Sequence, residues 1–446
     1  ISYKWLQNLL DFNLSIENTS DLLTDIGLEV EKTNKYSSIT TDLSQLVIGE
    51  VVECFKHPNA DRLKVTKVNV GLKSNLIIVC GAPNVDVFQK VIVAPVGAVL
   101  KTRLNESFKI KKSKIRGIES HGMICAEDEI GVGSNHDGII VLKNKFKIGD
   151  SASKVYKPYN DDVFEIGLTP NRCDAISHYG VARDLKAALS YRNESSEYEL
   201  ILPSISNFTN LRLAPKILVN IIDSKLCNRF CGIIIKNIKI KPSSDKIKNK
   251  LNAIGLKSIN NIVDITNYVM HEIGQPLHAY DLEKIKSGKI EIKTLNKKTK
   301  FITLDSEEII VDNDDLMICD GDIPMCLAGI YGGEHYSVSN ETKTIFLESA
   351  FFNPVSIRKS SKKHNINTDS SYRFERGVDI DMVEYALKRA AALILEDCDC
   401  EIICDVIDEY PNKNQEKEIV LNFDKINSLI GYDIDKLKVK SILNLL

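Results

Sequence analysis

A short basic run is the segment whose residue types most directly suggest chemistry. Between Lys101 and Arg116 the sequence has seven basic side chains and one acid, Glu106. Clustered cations bind nucleic-acid phosphates, so a small barrel with this run on one face predicts a surface that follows an RNA backbone. The alternative is a solvated edge strand whose lysines discourage pairing with another chain. The basic residues are Lys101, Arg103, Lys109, Lys111, Lys112, Lys114 and Arg116.

Residues that bind metals or act as nucleophiles show no familiar spacing. The sequence has 11 cysteines, in which Cys227 and Cys231 form a C-x3-C pair and Cys398, Cys400 and Cys404 form a cluster without a second pair. Zinc sites usually combine two tight Cys or His pairs, so we predict free thiols in a reducing compartment and no metal site. The motifs H-E-x-x-H, G-x-S-x-G and G-x-x-x-x-G-K-[ST] do not occur in the sequence.

Composition limits the class of protein. A chain of 446 residues with 43% hydrophobic and 27% charged residues is typical of a globular protein of about three domains. A net charge of −3 excludes a globally basic nucleic-acid binder, although it allows a local basic surface. No apolar run approaches the ~18 residues of a membrane span, and no basic and apolar leader opens the sequence. We therefore expect a cytoplasmic protein that does not enter a membrane.

The two ends of the sequence have unusual features. Residue 1 is Ile, and residues 435–446 carry apolar side chains at roughly helical spacing up to the last position. An apolar helix face without a packing partner predicts a sequence that ends inside a domain. The polar residues 410–418 predict a linker before it.

Hydrophobic periodicity predicts both helical and β-rich regions. Residues 46–140 contain short β-rich runs separated by turn residues, which is typical of a small barrel or sandwich. Residues 372–377 alternate aromatic and charged side chains, which predicts a strand with one buried face. Predicted helices are 3–10, 15–26, 177–191, 244–253, 263–272 and 381–396. Predicted strands are 28–31, 46–54, 63–70, 76–80, 91–96, 108–115, 123–125, 230–240, 289–294, 307–310 and 344–347.

Several motifs follow one another in a specific order. Residues 48–65, with the turn from His57 to Arg62, resemble the opening of the tRNA-binding OB-fold domain attached to several synthetases. We interpret His57 as a turn residue rather than a ligand or base. The further motifs are 80–85, 108–117, 168–184, 260–269, 274–281, 327–330, 348–354 and 368–379. Together they resemble the β-subunit family of bacterial phenylalanyl-tRNA synthetases.

The resemblance implies an α+β multidomain fold. A small α/β unit (B1, residues 1–39 and 152–200) carries an inserted tRNA-binding OB-fold β-barrel (B2, residues 40–151). A B3/B4 editing domain (residues 201–400) and a truncated helical B5 domain (residues 401–446) follow. Residues 168–184 are interpreted as structural, because Thr-Pro-Asn favours a turn and Ser177 can cap the next helix. Arg373, Glu375 and Arg376 are interpreted as a structural network rather than a grip on the RNA end.

The resemblance also implies an editing pocket for mischarged tyrosine. His278 and Thr266 are the implied catalytic positions, and Glu348 is implied to accept a hydrogen bond from the tyrosine hydroxyl. A pocket built to bond that hydroxyl penalises an analogue without it, since an unpaired buried polar group costs about 1–3 kcal/mol. The implied substrate-binding residues are Pro276, Ala328, Glu348, Thr368 and Ser370, and the family often has alanine at position 370.

Two chemical routes for ester hydrolysis stay open. An aminoacyl ester is already activated, so a positioned water can suffice, with hydroxyls such as that of Thr266 and of the terminal ribose helping. The alternative is His278 as a general base. The implied tRNA-binding residues are Lys109, Lys111, Lys112, Lys114 and Arg116.

Partners and cofactors are likewise implied by the resemblance. The partners are tRNA(Phe) and an α subunit in an (αβ)2 heterotetramer, with tyrosine as the editing product. ATP and Mg²⁺ serve the complete ligase and none is expected in this sequence. Two hypotheses of different classes remain: an editing hydrolase, and a non-catalytic RNA-binding and assembly scaffold with a silent pocket. A more remote third is a nucleic-acid chaperone built on the barrel.

Overall fold

The computed structural model describes most of the chain. The described residues are 1–101, 107–133, 135–143, 145–192, 198–209, 213–214, 217–413 and 418–446. Arg103 and Glu106 of the basic run lie outside them, as do residues 414–417 of the predicted linker. Contacts define two compact units, one of residues 35–161 and one of residues 1–34 with 162–446.

The described helices include all six predicted ones, within a few residues of their predicted bounds. Ser177 caps the third helix through a bond from Gly180 N to its Oγ at 3.0 Å, as predicted. The helices are α1 (Tyr3–Leu9), α2 (Ile16–Asp25), α3 (His178–Arg192), α4 (Asp245–Ala253), α5 (Asn261–Ile273), α6 (Pro354–His364), α7 (Asp369–Phe374), α8 (Met382–Asp397), α9 (Phe423–Ile430) and α10 (Lys436–Leu445).

The described strands are short, and turns separate them. In the unit of residues 35–161 and its flanks they are β1 (Glu29–Ser37), β2 (Val47–His57), β3 (Ala60–Asn69), β4 (Leu76–Cys80), β5 (Lys90–Pro95), β6 (Val99–Lys101), β7 (Ser107–Lys109), β8 (Ser113–Ile115), β9 (Ile118–Ser120), β10 (Gly122–Ile124), β11 (Val141–Leu142) and β12 (Asn160–Gly167). Further along they are β13 (Leu218–Ile221), β14 (Cys227–Lys236), β15 (Leu277–Asp281), β16 (Lys289–Thr294), β17 (Thr299–Ile302), β18 (Glu308–Val311), β19 (Leu316–Asp320), β20 (Ile323–Leu327), β21 (Tyr331–Gly332), β22 (Thr344–Phe352), β23 (Glu401–Ile402) and β24 (Ile407–Glu409).

The unit of residues 35–161 is organised around a sheet that is buried on both faces. Its strand order is β10-β5-β2-β3-β4, and β11 also pairs with β5. Val91 and Val93 of β5 lie in one hydrophobic core, whereas Ile92 and Ala94 lie in another. The two-residue period of a strand produces this alternation. The result is a barrel-like sheet.

Two small hairpins carry the basic run of this unit. β6 pairs with β7, and β8 pairs with β9. Arg116 and Gly117 connect β8 to β9 with φ of 43° and 101°, as a type I′ turn requires. The predicted single strand 108–115 is wrong, because Ile110 turns into the core and donates its N–H to Ala98 O at 2.8 Å. This inward turn separates β7 from β8.

The other unit contains two five-stranded sheets. One has the order β13-β16-β19-β20-β21, and the other has the order β15-β22-β14-β23 with β24 also pairing with β14. Helix α8 contacts β14 and β22, while α5 contacts β15 and α8. Asn260 begins α5 by accepting from the N–H groups of Ile262 and Val263, and Gly274 ends it with φ of 88°. The sheets and helices share one hydrophobic cluster.

The segment after α6 differs from its sequence prediction. Residues 372–377 were predicted to form a strand, but Asp369–Phe374 is helix α7. Thr368 Oγ1 accepts from Ser371 N, and Ser371 Oγ accepts from Thr368 N, which forms a capping box. This local cap favours helix despite the alternating pattern.

All 11 cysteines are free, and most are buried. Within the described ranges, no group of three or more His, Cys, Asp or Glu side chains is placed to hold a metal ion. None of the helices in those ranges is long and apolar enough to cross a membrane.

Candidate functional site

The candidate site is built on two neighbouring strands, β15 and β22. They pair antiparallel, with His278 directly opposite Glu348. Opposed residues of such strands point to the same face, with Cβ atoms about 4.5–5.5 Å apart. Sheet pairing therefore brings together the two side chains that are far apart in the sequence.

Burial controls the protonation of both side chains. Glu348 is 5% exposed, and desolvation raises its pKa to about 8, against a smaller lowering by the hydrogen bond from Tyr280. Desolvation lowers the pKa of His278 to about 4. Near neutral pH the carboxyl keeps its proton and the imidazole is uncharged. A protonated carboxyl can donate through one oxygen and accept through the other, whereas the sequence predicted an acceptor only.

The second sheet closes over this pair. A Cβ on Gly332 of β21 would lie 2.7 Å from His278 Cε1, so the ring occupies the space that any side chain at this position would need. Cys326 lies on β20 of the covering sheet, and burial together with ionised Glu348 raises the pKa of its thiol. His278 and Glu348 therefore lie between the two sheets.

Three predicted pocket residues meet at the turn between β20 and β21. Ala328 is buried in this turn, and Gly329 follows it with φ of 68°. Thr368 Oγ1 donates to Ile330 O at 3.0 Å, and Ser370 Oγ donates to Gly329 O at 3.2 Å. The start of α7 is thereby bonded to the turn that joins the two strands covering the acid and the imidazole.

Pro276 occupies the entry to β15. It is buried, and the side chain of Gln275 donates through Nε2 to Pro276 O at 3.1 Å and to Ala350 O at 2.8 Å. These bonds attach the segment before β15 to β22, two residues beyond the buried acid.

Thr266 lies on α5 and is 7% exposed. Its Oγ1 donates to Val263 O at 2.8 Å, so the hydroxyl is used within its own helix. Among the hydrogen bonds of the described residues, none connects Thr266 with the paired side chains of β15 and β22.

A cavity of about 270 Å³ lies beside the site. Gly274 and Gln275 line it from the segment before β15, and Arg373 and Gly377 line it from α7 and the turn after it. His278 and Glu348 do not belong to this lining. A ring-sized hollow between the acid and the imidazole therefore stays a prediction.

The arginines after Thr368 are engaged locally. Arg373 is 5% exposed, and its Nη1 donates to Asp369 O at 2.8 Å while its Nη2 lies 3.3 Å from His271 Nδ1. Arg376 pairs with Glu375. These contacts agree with the structural interpretation of this segment.

The predicted tRNA-binding residues are exposed on the hairpins of the unit 35–161 and on the segment between them. Lys109 and Lys111 line a cleft of about 870 Å³ together with Phe108, which is 39% exposed. An aromatic ring beside cations suits a bound base and its phosphate. In the described part of the chain β7 and β8 each pair with one neighbour, so the edge-strand alternative stays open. The exposed residues are Lys109, Lys111, Lys112, Lys114 and Arg116.

His57 is structural. It is 4% exposed, its Nε2 lies 3.2 Å from Ile115 O, and its Nδ1 accepts from Asn59 N at 3.1 Å. Both ring nitrogens are thus engaged around the turn between β2 and β3, which agrees with its interpretation as a turn residue.

Three residues of the site were not singled out from the sequence. Tyr280 lies two positions after His278 and so shares its face of a strand, but β15 itself was not predicted. Cys326 and Gly332 come from the other sheet. No sequence periodicity connects two sheets, so only the three-dimensional structure could find them.

Family models match both units. The model described as "Putative tRNA binding domain" matches residues 46–151, and the model described as "B3/4 domain" matches residues 226–399. These matches define a chain that combines a tRNA-binding domain with a B3/4 domain.

Relatives that align with nearly the whole of this chain identify the family. The phenylalanine–tRNA ligase β subunit of Porphyromonas gingivalis is 48% identical over 445 residues, which is 100% of this chain and 54% of the relative. That of Fusobacterium nucleatum is 42% identical over 99% of this chain and 54% of the relative. The chain belongs to the phenylalanine–tRNA ligase β-subunit family, and it spans about half the length of these curated relatives.

A solved structure is also similar. The N-terminal fragment of the phenylalanyl-tRNA synthetase β-subunit from Pyrococcus horikoshii is 17% identical, with 64% of this chain and 77% of that chain covered. Its TM-score of 0.31 is too low to support a shared overall fold.

Proposed function

We propose that this chain binds tRNA and hydrolyses mischarged Tyr-tRNA(Phe) as part of a phenylalanine–tRNA ligase. The observation that carries the proposal is the pairing of the half-buried His278 with the buried Glu348 between two sheets. A desolvated carboxyl discriminates strongly in favour of a substrate with a hydroxyl, because a carboxyl left unpaired costs about 1–3 kcal/mol. Tyrosine can supply that hydroxyl and phenylalanine cannot.

The hydrolysis needs only a positioned water. Its oxygen attacks the ester carbonyl carbon, the bond from that carbon to the ribose oxygen breaks, and a water proton ends on the ribose oxygen. The products are free tyrosine and tRNA(Phe). His278 has a pKa of about 4, so it is a weak base at neutral pH, and this favours positioning over base catalysis. Thr266 is the hydroxyl proposed to assist near the ester, together with the terminal ribose.

Substrate placement uses the remaining pocket residues. The buried Pro276 and Ala328 supply apolar walls for a ring. The hydroxyls of Thr368 and Ser370 are engaged by backbone carbonyls, so they shape the wall rather than compete for the ester. Lys109, Lys111, Lys112, Lys114 and Arg116 are proposed to contact the tRNA backbone from the other unit.

The assignment of residue ranges to domains is part of the same proposal. The barrel-like sheet is proposed to be an OB fold (B2, residues 40–151) inserted in B1 (residues 1–39 and 152–200). Residues 201–400 are proposed as B3/B4. The boundary expected at residue 400 falls inside a sheet, because β23 and β24 pair with β14, so only the helical residues after β24 are proposed as part of a B5 domain. An α subunit in an (αβ)2 heterotetramer would supply ATP-dependent aminoacylation. The described residues offer no group of ligands that fits Mg²⁺, so no step here uses a metal.

The scaffold alternative has one observation in its favour. Glu348 already has an internal partner, because Tyr280 Oη donates to its Oε2 at 2.6 Å. If that bond satisfied the carboxyl completely, the pocket would be silent and the chain would act through RNA binding and assembly.

Deacylation separates the two functions. Tyrosyl-tRNA(Phe) and phenylalanyl-tRNA(Phe) are incubated with this chain assembled in its ligase, and hydrolysis is compared with buffer. Editing predicts rapid loss of tyrosine alone, and a rate equal to buffer contradicts it. Glu348→Ala is expected to reduce the preference for tyrosine. Retention of activity by His278→Ala would exclude His278 as the base.

A further inference from the structure

Tyr280 is a fully buried phenol beside the candidate recognition group. It is 0% exposed, and its hydroxyl donates to Glu348 Oε2 at 2.6 Å. Its ring meets the His278 ring edge-on, with centroids 4.6 Å apart and planes at 70°. A phenol of the protein therefore already bonds to one oxygen of Glu348, which leaves the other carboxyl oxygen for a tyrosine substrate.

The two carboxyl oxygens of Glu348 have different surroundings. Oε2 is occupied by the bond from Tyr280. Oε1 has no hydrogen-bond partner among the described residues. It is also absent from the unpaired polar atoms of those residues that are completely hidden from solvent, so part of its surface is accessible. A carboxyl that is held through one oxygen cannot rotate freely about its broad terminal torsion. The second oxygen is thus kept in one place and retains some accessible surface.

The packing around Tyr280 holds the phenol in register. Phe346 lies opposite Tyr280 in β22, and their ring centroids are 6.5 Å apart. Pairing and packing therefore leave Tyr280 little freedom to release Glu348.

We propose that Tyr280 is a positioning residue for substrate selection, which fixes the Glu348 carboxyl so that Oε1 alone is presented to the substrate phenol. The inference rests on the proposed editing function. It also resolves the apparent conflict with the scaffold alternative, because the internal bond uses one oxygen and leaves the other available. Tyr280 touches no reacting atom in this role.

Loss of the phenol hydroxyl has a defined consequence. In Tyr280→Phe the ring keeps its packing, while Oε2 loses its donor and the carboxyl can turn or recruit water. One lost hydrogen bond corresponds to about a five- to tenfold loss of discrimination. We expect KM for tyrosyl-tRNA(Phe) to rise by that factor, whereas the slow hydrolysis of phenylalanyl-tRNA(Phe) stays unchanged.

A second readout is the titration of Glu348. The titratable groups that face it are His278 and Tyr280 of β15, Cys326 of β20 and Cys227 of β14. The bond from Tyr280 lowers the pKa of Glu348 against the larger effect of burial. Removal of that bond should raise the pH midpoint of the carboxyl, observed by infrared or carbon NMR, which a purely structural role would not change.

Tyr336→Phe is the matched control. Tyr336 is also a buried phenol, 4% exposed, and its hydroxyl lies 3.3 Å from Asp320 Oδ2. We expect it to retain the wild-type preference for tyrosine. In a Glu348→Ala background, Tyr280→Phe should cause no further change in selectivity, because its effect acts through the carboxyl.

The outcomes are distinguishable. Reduced tyrosine selectivity and a raised carboxyl midpoint in Tyr280→Phe, with neither in Tyr336→Phe, support the inference. If the wild type is active and Tyr280→Phe has unchanged selectivity, the inference is overturned and the editing function stays intact. Equal selectivity losses in both variants also overturn it. A wild type that hydrolyses no tyrosyl-tRNA(Phe) in the assembled ligase overturns the proposed function and this inference together.

Discussion

His278 is half-buried and Glu348 is buried between two sheets, whereas Lys109 and Lys111 are exposed beside a cleft in the other unit. The first pair is uncharged near neutral pH because desolvation opposes ionisation. The two lysines lie at the solvent-exposed surface. The region around Glu348 thus has few polar groups in a desolvated environment, and the region of the hairpins has many charged groups on the surface.

The two regions would discriminate between ligands by different physical effects. A buried polar group distinguishes the presence of a hydroxyl, because water cannot replace the missing partner. Exposed cations attract any phosphate, and dissolved salt screens this attraction beyond about 8–10 Å. Chemical selection is therefore expected from the buried region, and salt-dependent affinity from the hairpins.

The largest expected effect comes from filling the space beside the imidazole of His278. In Gly332→Ala the new Cβ would lie 2.7 Å from His278 Cε1. Such overpacking costs about 1–3 kcal/mol of unfolding free energy. We expect tyrosyl-tRNA deacylation to fall by about tenfold or more, equivalent to about 1.4 kcal/mol in the barrier. Denaturant unfolding and single-turnover deacylation measure the two effects.

Gly167→Ala is the control for that substitution. Its nearest neighbour would be Glu31 Oε1, the end of an exposed side chain that can move away. We expect deacylation at the wild-type rate. Wild-type stability and activity in Gly332→Ala would contradict the close packing of β21 on the imidazole.

The next effect is the pH dependence of stability. The folded pKa of Glu348 is raised from 4.5 to about 8, so its stabilising contribution is complete below pH 4.5 and is lost as pH rises towards 8. His278 acts in a lower window, because its pKa is lowered from 6.5 to about 4 and its contribution is lost as pH falls through that range. Between pH 6.5 and 8, Glu348→Gln should therefore flatten the decline in unfolding free energy.

Thermal or denaturant unfolding across that pH interval tests this expectation. Glu341→Gln is the matched control, since Glu341 is exposed, and its curve should follow the wild type. An unchanged slope in Glu348→Gln would show that the carboxyl is already ionised in the folded protein.

The smallest effect is expected on the exposed side of the comparison. Lys109→Gln with Lys111→Gln should weaken tRNA binding several-fold near 150 mM salt and reduce the slope of log affinity against log salt by about 1.4, if each lysine contacts one phosphate of a single strand. Fluorescence anisotropy over a salt series gives both values. The double variant Lys73→Gln and Lys147→Gln has the same charge change on exposed residues outside the cleft lining. Equal losses in the two double variants would mean that the cleft has no special role.

Local signals predicted much of the secondary structure. Apolar spacing found α5 and α8, and Ser177 was recognised as the cap of α3 because capping depends on near neighbours. The strand predicted at 372–377 was wrong. The alternating pattern there is short, and the capping box of Thr368 favours a helix instead. Ile110 divided another predicted strand, because its burial depends on a distant core.

The sequence alone determined the order of motifs, the helical and β-rich regions, the basic run and the family, since each depends on residue types at short spacing. Only the tertiary structure decided that His278 faces Glu348, that Gly332 leaves room for the ring, and that Tyr280 holds one carboxyl oxygen. Register between strands and desolvation are properties of segments brought together from distant positions. For that reason the protonation of the pair, and the selectivity proposed to follow from it, could not be predicted before the sheets were assembled.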